Sequence, residues 1–99
     1  MAISSSIAMN REQKECLEAA LEERMKTDPD NREEYQHVLK QFDYVPSAVR
    51  FMSLPLFETE NQYKCTMDAL LTSNYAKENS RIAEELAKRI ESMVVGVPI

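Results

Sequence analysis

Apolar residues recur at helical spacing in three separate parts of this chain. In the first part, Leu17, Leu21 and Met25 follow one another at intervals of four residues and form a narrow stripe on one helix face. Asn10, with a glutamine three residues later, has the arrangement of a capping box, which predicts that a helix begins after it. Pro29 predicts that this first helix has ended by the sequence "TDPD".

The second part is a shorter apolar face between two prolines. Tyr35, Val38, Leu39 and Phe42 lie at positions i, i+3, i+4 and i+7, the spacing of one face of an α-helix. We expect this second helix to end near residues 43–44, because Pro46 follows and a proline cannot continue a helix. Phe42 should belong to the core.

The third part covers residues 59–95. Thr59 and a glutamine three residues later form a second capping box, which predicts the start of a third helix. Ile82, Leu86 and Ile90 then form the apolar face of a last helix. The polar sequence "TSNYAKENS" between them favours a break, and one long helix from residue 59 to 95 is the alternative. Residues 96–99 are predicted to be a C-terminal tail.

Between the second and third parts lies the middle segment, "YVPSAVRFMSLPLF" (44–57), which is mostly apolar and has strongly charged flanks. A small monomer that left all these side chains exposed would tend to aggregate, so the segment should be partly core and partly interface. Phe57 is expected in the core. The predicted partner-binding residues are Val49, Phe51, Met52, Leu54 and Leu56. The prolines beside them would hold the segment in a fixed shape before binding.

Composition sets the fold class. The 99 residues suffice for one domain, and residues 1–99 are predicted to form a single one. A single glycine disfavours a sheet protein, since hairpins and bulges use glycine. The sequence therefore predicts an all-α fold, a small antiparallel bundle of three to four helices. An irregular connector bounded by prolines is expected at 43–58, and residues 1–9 are expected to fray.

Charge narrows the range of partners. The formal net charge is −5 at pH 7, and the sequence pI is about 4.9. Binding of a nucleic acid backbone requires a basic face that releases counterions, so direct DNA or RNA binding is disfavoured. Binding to an anionic membrane surface is disfavoured for the same reason. No apolar run is long enough to predict a transmembrane span.

The two cysteines indicate a reducing environment. Cys16 and Cys65 lie far apart, with no Cys-x-x-Cys or Cys/His cluster, so we expect two free thiols, no metal site and no cofactor. A cytoplasmic location follows from this expectation. The beginning of the chain, "MAISSSIAM", resembles the leaders of bacterial type III secretion substrates, which leaves a non-classical secretion route open.

His37 is the one histidine and raises a catalytic alternative. It should point away from the apolar stripe of the second helix and be exposed to solvent, as should Lys40. The run "HVLK" (37–40) resembles the His-x-Leu-Lys core of histidine phosphotransfer domains. That resemblance implies that His37 would accept a phosphoryl group and that Lys40 would offset its charge. The family usually has glycine in the next position, where this chain has Gln41.

These patterns favour a protein that binds other proteins. No Gly-rich phosphate loop and no cysteine–histidine pair is present in the sequence, so an enzyme is not expected. The predicted function is a non-enzymatic interaction module, such as an adaptor, a small chaperone or a regulator, that binds a protein partner or a second copy of itself. The alternatives are phosphotransfer through His37 and an acidic inhibitor that imitates nucleic acid with carboxylates of the first two helices.

Overall fold

Five α-helices and two short strands lie within the part of the chain that the structure describes. A computed structural model describes residues 7–44, 51–54 and 56–93, with the backbone alone for Tyr44, residues 51–54 and Met93. The elements are β1 (Ile7–Asn10), α1 (Arg11–Thr27), α2 (Arg32–Lys40), β2 (Phe51–Leu54), α3 (Glu60–Thr72), α4 (Asn74–Glu78) and α5 (Ser80–Met93). The prediction of a small all-α bundle is confirmed, with more helices than the three to four expected.

Asn10 marks the change from strand to helix at the beginning of the described chain. It is the last residue of β1, and its extended backbone (φ −92°, ψ 177°) also makes it the N-cap of α1. The Asn10 side chain accepts a hydrogen bond from Gln13 N at 2.8 Å, and Asn10 N donates to Gln13 Oε1 at 3.0 Å. The predicted capping box is therefore confirmed, as is the end of α1 before Pro29.

Helix α2 lies between two single turns of 3₁₀ helix. Pro29–Asn31 forms the first turn, and Gln41–Tyr44 forms the second. Tyr35 and Val38 of α2 are buried, and Phe42 in the turn that follows is 5% exposed. The predicted apolar face of the second helix, with Phe42 in the core, is confirmed.

Residues 59–93 are divided into three helices rather than one. Thr59 caps α3 through the predicted capping box, and Gln62 N donates to Thr59 Oγ1 at 3.2 Å. Ser73 has an extended backbone that ends α3, and its Oγ accepts from Ala76 N at 3.1 Å, which caps α4. Asn79 separates α4 from α5. The predicted break is confirmed, and the long-helix alternative is wrong, because these capping side chains satisfy the helix ends.

The two strands are a feature that sequence analysis missed. β1 pairs with β2 in antiparallel register, with Ile7 opposite Leu54 and Met9 opposite Met52. Ile7 and Met9 are fully buried, so the expectation that residues 1–9 fray is wrong for residues 7–9. The connector at 43–58 is likewise not irregular throughout, since it contains β2. Residues 1–6, 45–50, 55 and 94–99, including the predicted tail, lie outside the described residues.

The core is built around α1. This helix contacts each of the other four helices as well as β1, and β1 also contacts α5. The buried face of α1 is narrow and consists of Cys16, Leu17, Ala20 and Leu21. None of the helices, over the stretches that the structure describes, is long and apolar enough to cross a membrane.

Candidate functional site

The register of the strands divides the predicted partner-binding residues into two groups. Residues that pair directly across an antiparallel sheet share a face of that sheet. Met52 and Leu54 therefore occupy the face that carries the buried residues Met9 and Ile7. Phe51 pairs with Asn10 and occupies the opposite face. Val49 lies outside the described residues.

Leu56 and Phe57, which follow β2 closely, are core residues. Leu56 is completely buried, so its predicted place in an accessible patch is corrected. Phe57 is 2% exposed, and its ring packs edge-on against Tyr63 of α3 with the ring centroids 5.7 Å apart, as expected for a core residue. These two side chains attach the end of the middle segment to the bundle, because removing either from water is favourable.

His37 is half-buried. Its Nε2 atom is shielded from solvent and has no hydrogen-bond partner among the described residues, so the expectation of a solvent-exposed histidine is wrong. The reason is that α2 packs against both α1 and α3, so that part of its surface beyond Tyr35 and Val38 is also covered. Lys40 is exposed, as expected. A shielded ring nitrogen disfavours phosphotransfer, since an acceptor nitrogen must be reachable by the donor's active site.

A polar network joins the turn after α1 to the buried side of α2. The Tyr35 hydroxyl donates to Asp28 Oδ2 at 2.9 Å, and Asn31 Nδ2 donates to the same oxygen at 2.9 Å. Hydrogen bonds from Asn31 and then Tyr35 hold the pKa of Asp28 below its usual range. Burial, followed by the hydrogen bond to Asp28, raises the pKa of Tyr35 well above its ordinary value. The network is therefore arranged to keep a carboxylate charged and a phenol neutral.

We expect Tyr35→Phe to raise the pKa of Asp28 toward the ordinary aspartate value, because the ionised carboxylate then loses one of its donors. A group with a lowered pKa stabilises the fold above its unfolded pKa and loses that contribution as the pH falls through the folded pKa. The wild-type protein should therefore stay folded to lower pH than the variant. Carboxyl NMR titration of Asp28 measures the shift. An unchanged pKa in the variant would show that the Tyr35 hydroxyl is not a significant donor.

The thiols show no sign of activation. Cys16 and Cys65 are both free and buried. Burial is the main cause that raises the pKa of each thiol, and nearby carboxylates, Glu12 for Cys16 and Glu34 for Cys65, raise it further. A thiol that stays protonated is a poor nucleophile and a poor metal ligand. The described residues also contain no group of three or more histidine, cysteine or acidic side chains that could hold a metal ion.

Two adjacent side chains of α1 hold the junction between α3 and α4. The Glu23 carboxylate accepts hydrogen bonds from Asn74 N at 2.7 Å and from Tyr75 N at 3.0 Å, the first two residues of α4. Arg24 bridges to Asp68 of α3 at 3.1 Å and also donates to Thr72. Both contacts are structural: Glu23 satisfies backbone N–H groups at the start of α4, and Arg24 joins α1 to side chains of α3.

Some of the carboxylates that might imitate nucleic acid are engaged inside the protein. Glu18 pairs with Lys14 along α1, and Glu34 of α2 accepts from Asn61 of α3 at 3.0 Å. Glu23 caps α4. A surface that imitates a phosphate backbone requires regularly spaced free charges, so these contacts disfavour the acidic inhibitor.

Two surface depressions among the described residues are candidates for binding. An open cleft of about 510 Å³ is lined by Glu22, Met25, Lys26, Pro29 and Arg32, which mix both signs of charge with apolar atoms. A smaller groove of about 230 Å³ lies where α3, α4 and α5 meet, beside Leu71. Leu71 is 57% exposed and is the one exposed large apolar side chain in the part of the chain that the structure describes.

Comparison with known proteins does not identify a family for this chain. No protein family, no curated protein and no solved structure matches this chain. Function must therefore be argued from the surfaces described above.

Proposed function

We propose that this chain is a non-enzymatic interaction module that binds a protein partner through its middle segment. The observation that carries the proposal is the position of β2, which pairs with β1 on one side and with no further strand among the described residues. An edge strand has backbone N–H and C=O groups on its outer side that an extended segment of another protein can bind. The partner would add a third strand beside β2.

The sequence of β2 supports this use of its edge. Charged residues or a proline commonly protect an edge strand from association with another strand. The sequence of β2, "FMSL", contains neither. A sheet of two short strands is also marginal by itself and is stabilised by a further strand. The core residues Leu56 and Phe57 fix the chain directly after β2, so little ordering would be needed on binding.

The register indicates which positions would contribute side chains to the partner. Phe51 lies on the face opposite the one that carries Ile7 and Met9, and it is our candidate contact residue beside the strand edge. Met52 and Leu54 are not proposed as side-chain contacts, since their positions share the face of the buried residues. Val49 stays a predicted contact.

Ser53→Lys tests the proposal because it places a charge on the edge strand without altering the core face. Ser53 pairs with Ala8, which is only half-buried, so the fold should tolerate the lysine. Proteins retained from the native lysate by the wild-type chain should be retained on the order of 10-fold less by this variant, since an edge lysine opposes strand addition. Gln36→Lys, an equal charge change on the exposed side of α2, is the matched control and should bind normally.

Hydrogen exchange of the purified complex locates the contact. We expect the amides of 51–54 to gain protection when the retained partner is bound, in addition to the protection that β1 provides. If Ser53→Lys retains the partner fully, or if protection appears away from β2, the middle segment is not the binding surface and the proposal fails.

A further inference from the structure

The groove beside Leu71 has a composition that suits a second copy of this chain. Its floor is formed by small or apolar side chains that are almost completely buried, Leu70, Ala76 and Ala83. Leu71 stands on its rim with more than half of its surface in solvent. A groove and a protruding leucine thus lie side by side on one surface, which is the arrangement that an isologous contact requires.

The size of the groove fits the side chain that protrudes next to it. A cavity of about 150 Å³ lined by apolar side chains accommodates a benzene molecule. The groove measures about 230 Å³, which is sufficient for one leucine side chain together with part of its backbone. Around a twofold axis, Leu71 of each copy would enter the groove of the other.

The charges at the rim are also self-complementary. Lys77 of α4 and Glu84 of α5 both line the groove and carry opposite charges. Both are exposed, and neither makes an ion pair within the described residues. In a twofold arrangement the lysine of one copy meets the glutamate of the other, and the contact occurs twice. A strongly acidic partner would attract only Lys77, and a strongly basic partner would attract only Glu84.

We infer that the groove beside Leu71 is a docking surface for a second copy of this chain. The contact is small compared with the roughly 800 Å² that each partner contributes to a standard interface, so the dimer is weak and reversible. The net charge of −5 per chain also opposes association at low ionic strength. This surface lies on α3, α4 and α5 and is independent of β2.

The first test measures the mass in solution as a function of concentration. Sedimentation velocity should show a reversible monomer–dimer equilibrium of the wild-type chain at concentrations up to about 1 mM. Leu71→Asp should weaken dimerisation by a factor on the order of 10 or more, because it places a charge where the protruding apolar side chain was. Circular dichroism should be unchanged, since Leu71 is mostly exposed. A chain that stays monomeric throughout, or a dimer unaffected by Leu71→Asp, overturns the inference.

The second test exploits the two rim charges. Lys77→Glu and Glu84→Lys should each weaken dimerisation, because each homodimer would bring like charges together twice. An equal mixture of the two variants should restore association, since both contacts in the mixed dimer again join opposite charges. With one variant uniformly labelled with ¹⁵N, native mass spectrometry distinguishes the mixed dimer from the two homodimers. Lys40→Glu on α2 controls for net charge and should dimerise like the wild type. Failure of the mixture to form a mixed dimer contradicts the twofold arrangement.

The two proposals fail separately. Ser53→Lys should leave the dimer intact while it weakens binding of the partner at β2. A dimer that is lost in Ser53→Lys but retained in Leu71→Asp would place self-association at the strand edge instead, and the groove would have no assigned role.

Discussion

Phe57→Ala is expected to lower the free energy of unfolding by about 3 to 5 kcal/mol, the cost of removing a large aromatic side chain from a packed core. Phe57 is 2% exposed and packs edge-on against Tyr63 with an interplanar angle of 88°. The variant therefore loses both apolar burial and an aromatic contact. A domain of this size has a total stability of about 5 to 15 kcal/mol, so the loss is a large fraction of it. Chemical denaturation followed by circular dichroism measures the change.

Phe57→Leu is the matched control for this prediction. Leucine keeps most of the apolar volume at the site and loses the ring contact with Tyr63, so its cost should be clearly smaller than that of alanine. Equal and small effects of both substitutions would mean that the end of the middle segment is not anchored in the core. The argument that β2 needs little ordering when it binds a partner would then lose its structural basis.

Ile7→Ala is expected to cost about 2 to 5 kcal/mol, which is the usual range for truncating a buried isoleucine. Ile7 is fully buried although it lies near the beginning of the chain. Its removal would also weaken the pairing with Leu54, since β1 is held against the bundle by its apolar face. Thermal and urea denaturation of the variant would measure the loss.

The adjacent residue supplies the control. Ala8 is half-buried, and its carbonyl oxygen accepts a hydrogen bond from Arg89 Nη1 at 3.2 Å. Ala8→Ser keeps this backbone contact and should change stability by no more than about 0.5 kcal/mol. If Ile7→Ala were as mild as Ala8→Ser, residues 7–9 would behave as the frayed segment that the sequence suggested.

The features that sequence analysis predicted correctly depend on neighbouring residues. The capping box at Asn10 requires a glutamine only three residues away, and the box at Thr59 has the same spacing. The apolar face of α2 likewise follows from four side chains within eight residues. Such local patterns are visible in the sequence because the helix brings residues three and four apart together.

The features that were missed depend on residues far apart. Strands β1 and β2 have only four residues each, too few for alternation to stand out, and their pairing brings together Ile7 and Leu54 across two intervening helices. The burial of Leu56 and of His37 Nε2 likewise results from how helices pack, which periodicity on a single helix does not report. The groove beside Leu71 exists only because α3, α4 and α5 meet there.

The cap that Glu23 provides for α4 has a consequence for the order in which the chain folds. Helix α4 has five residues, too few to nucleate as an isolated helix. Two of its first N–H groups find their acceptor on α1, at a separation of 51 and 52 residues in sequence. The chain must close that long loop before the cap can form, and loop closure costs entropy. Helix α4 should therefore form late in folding, after α1 and α3 have docked.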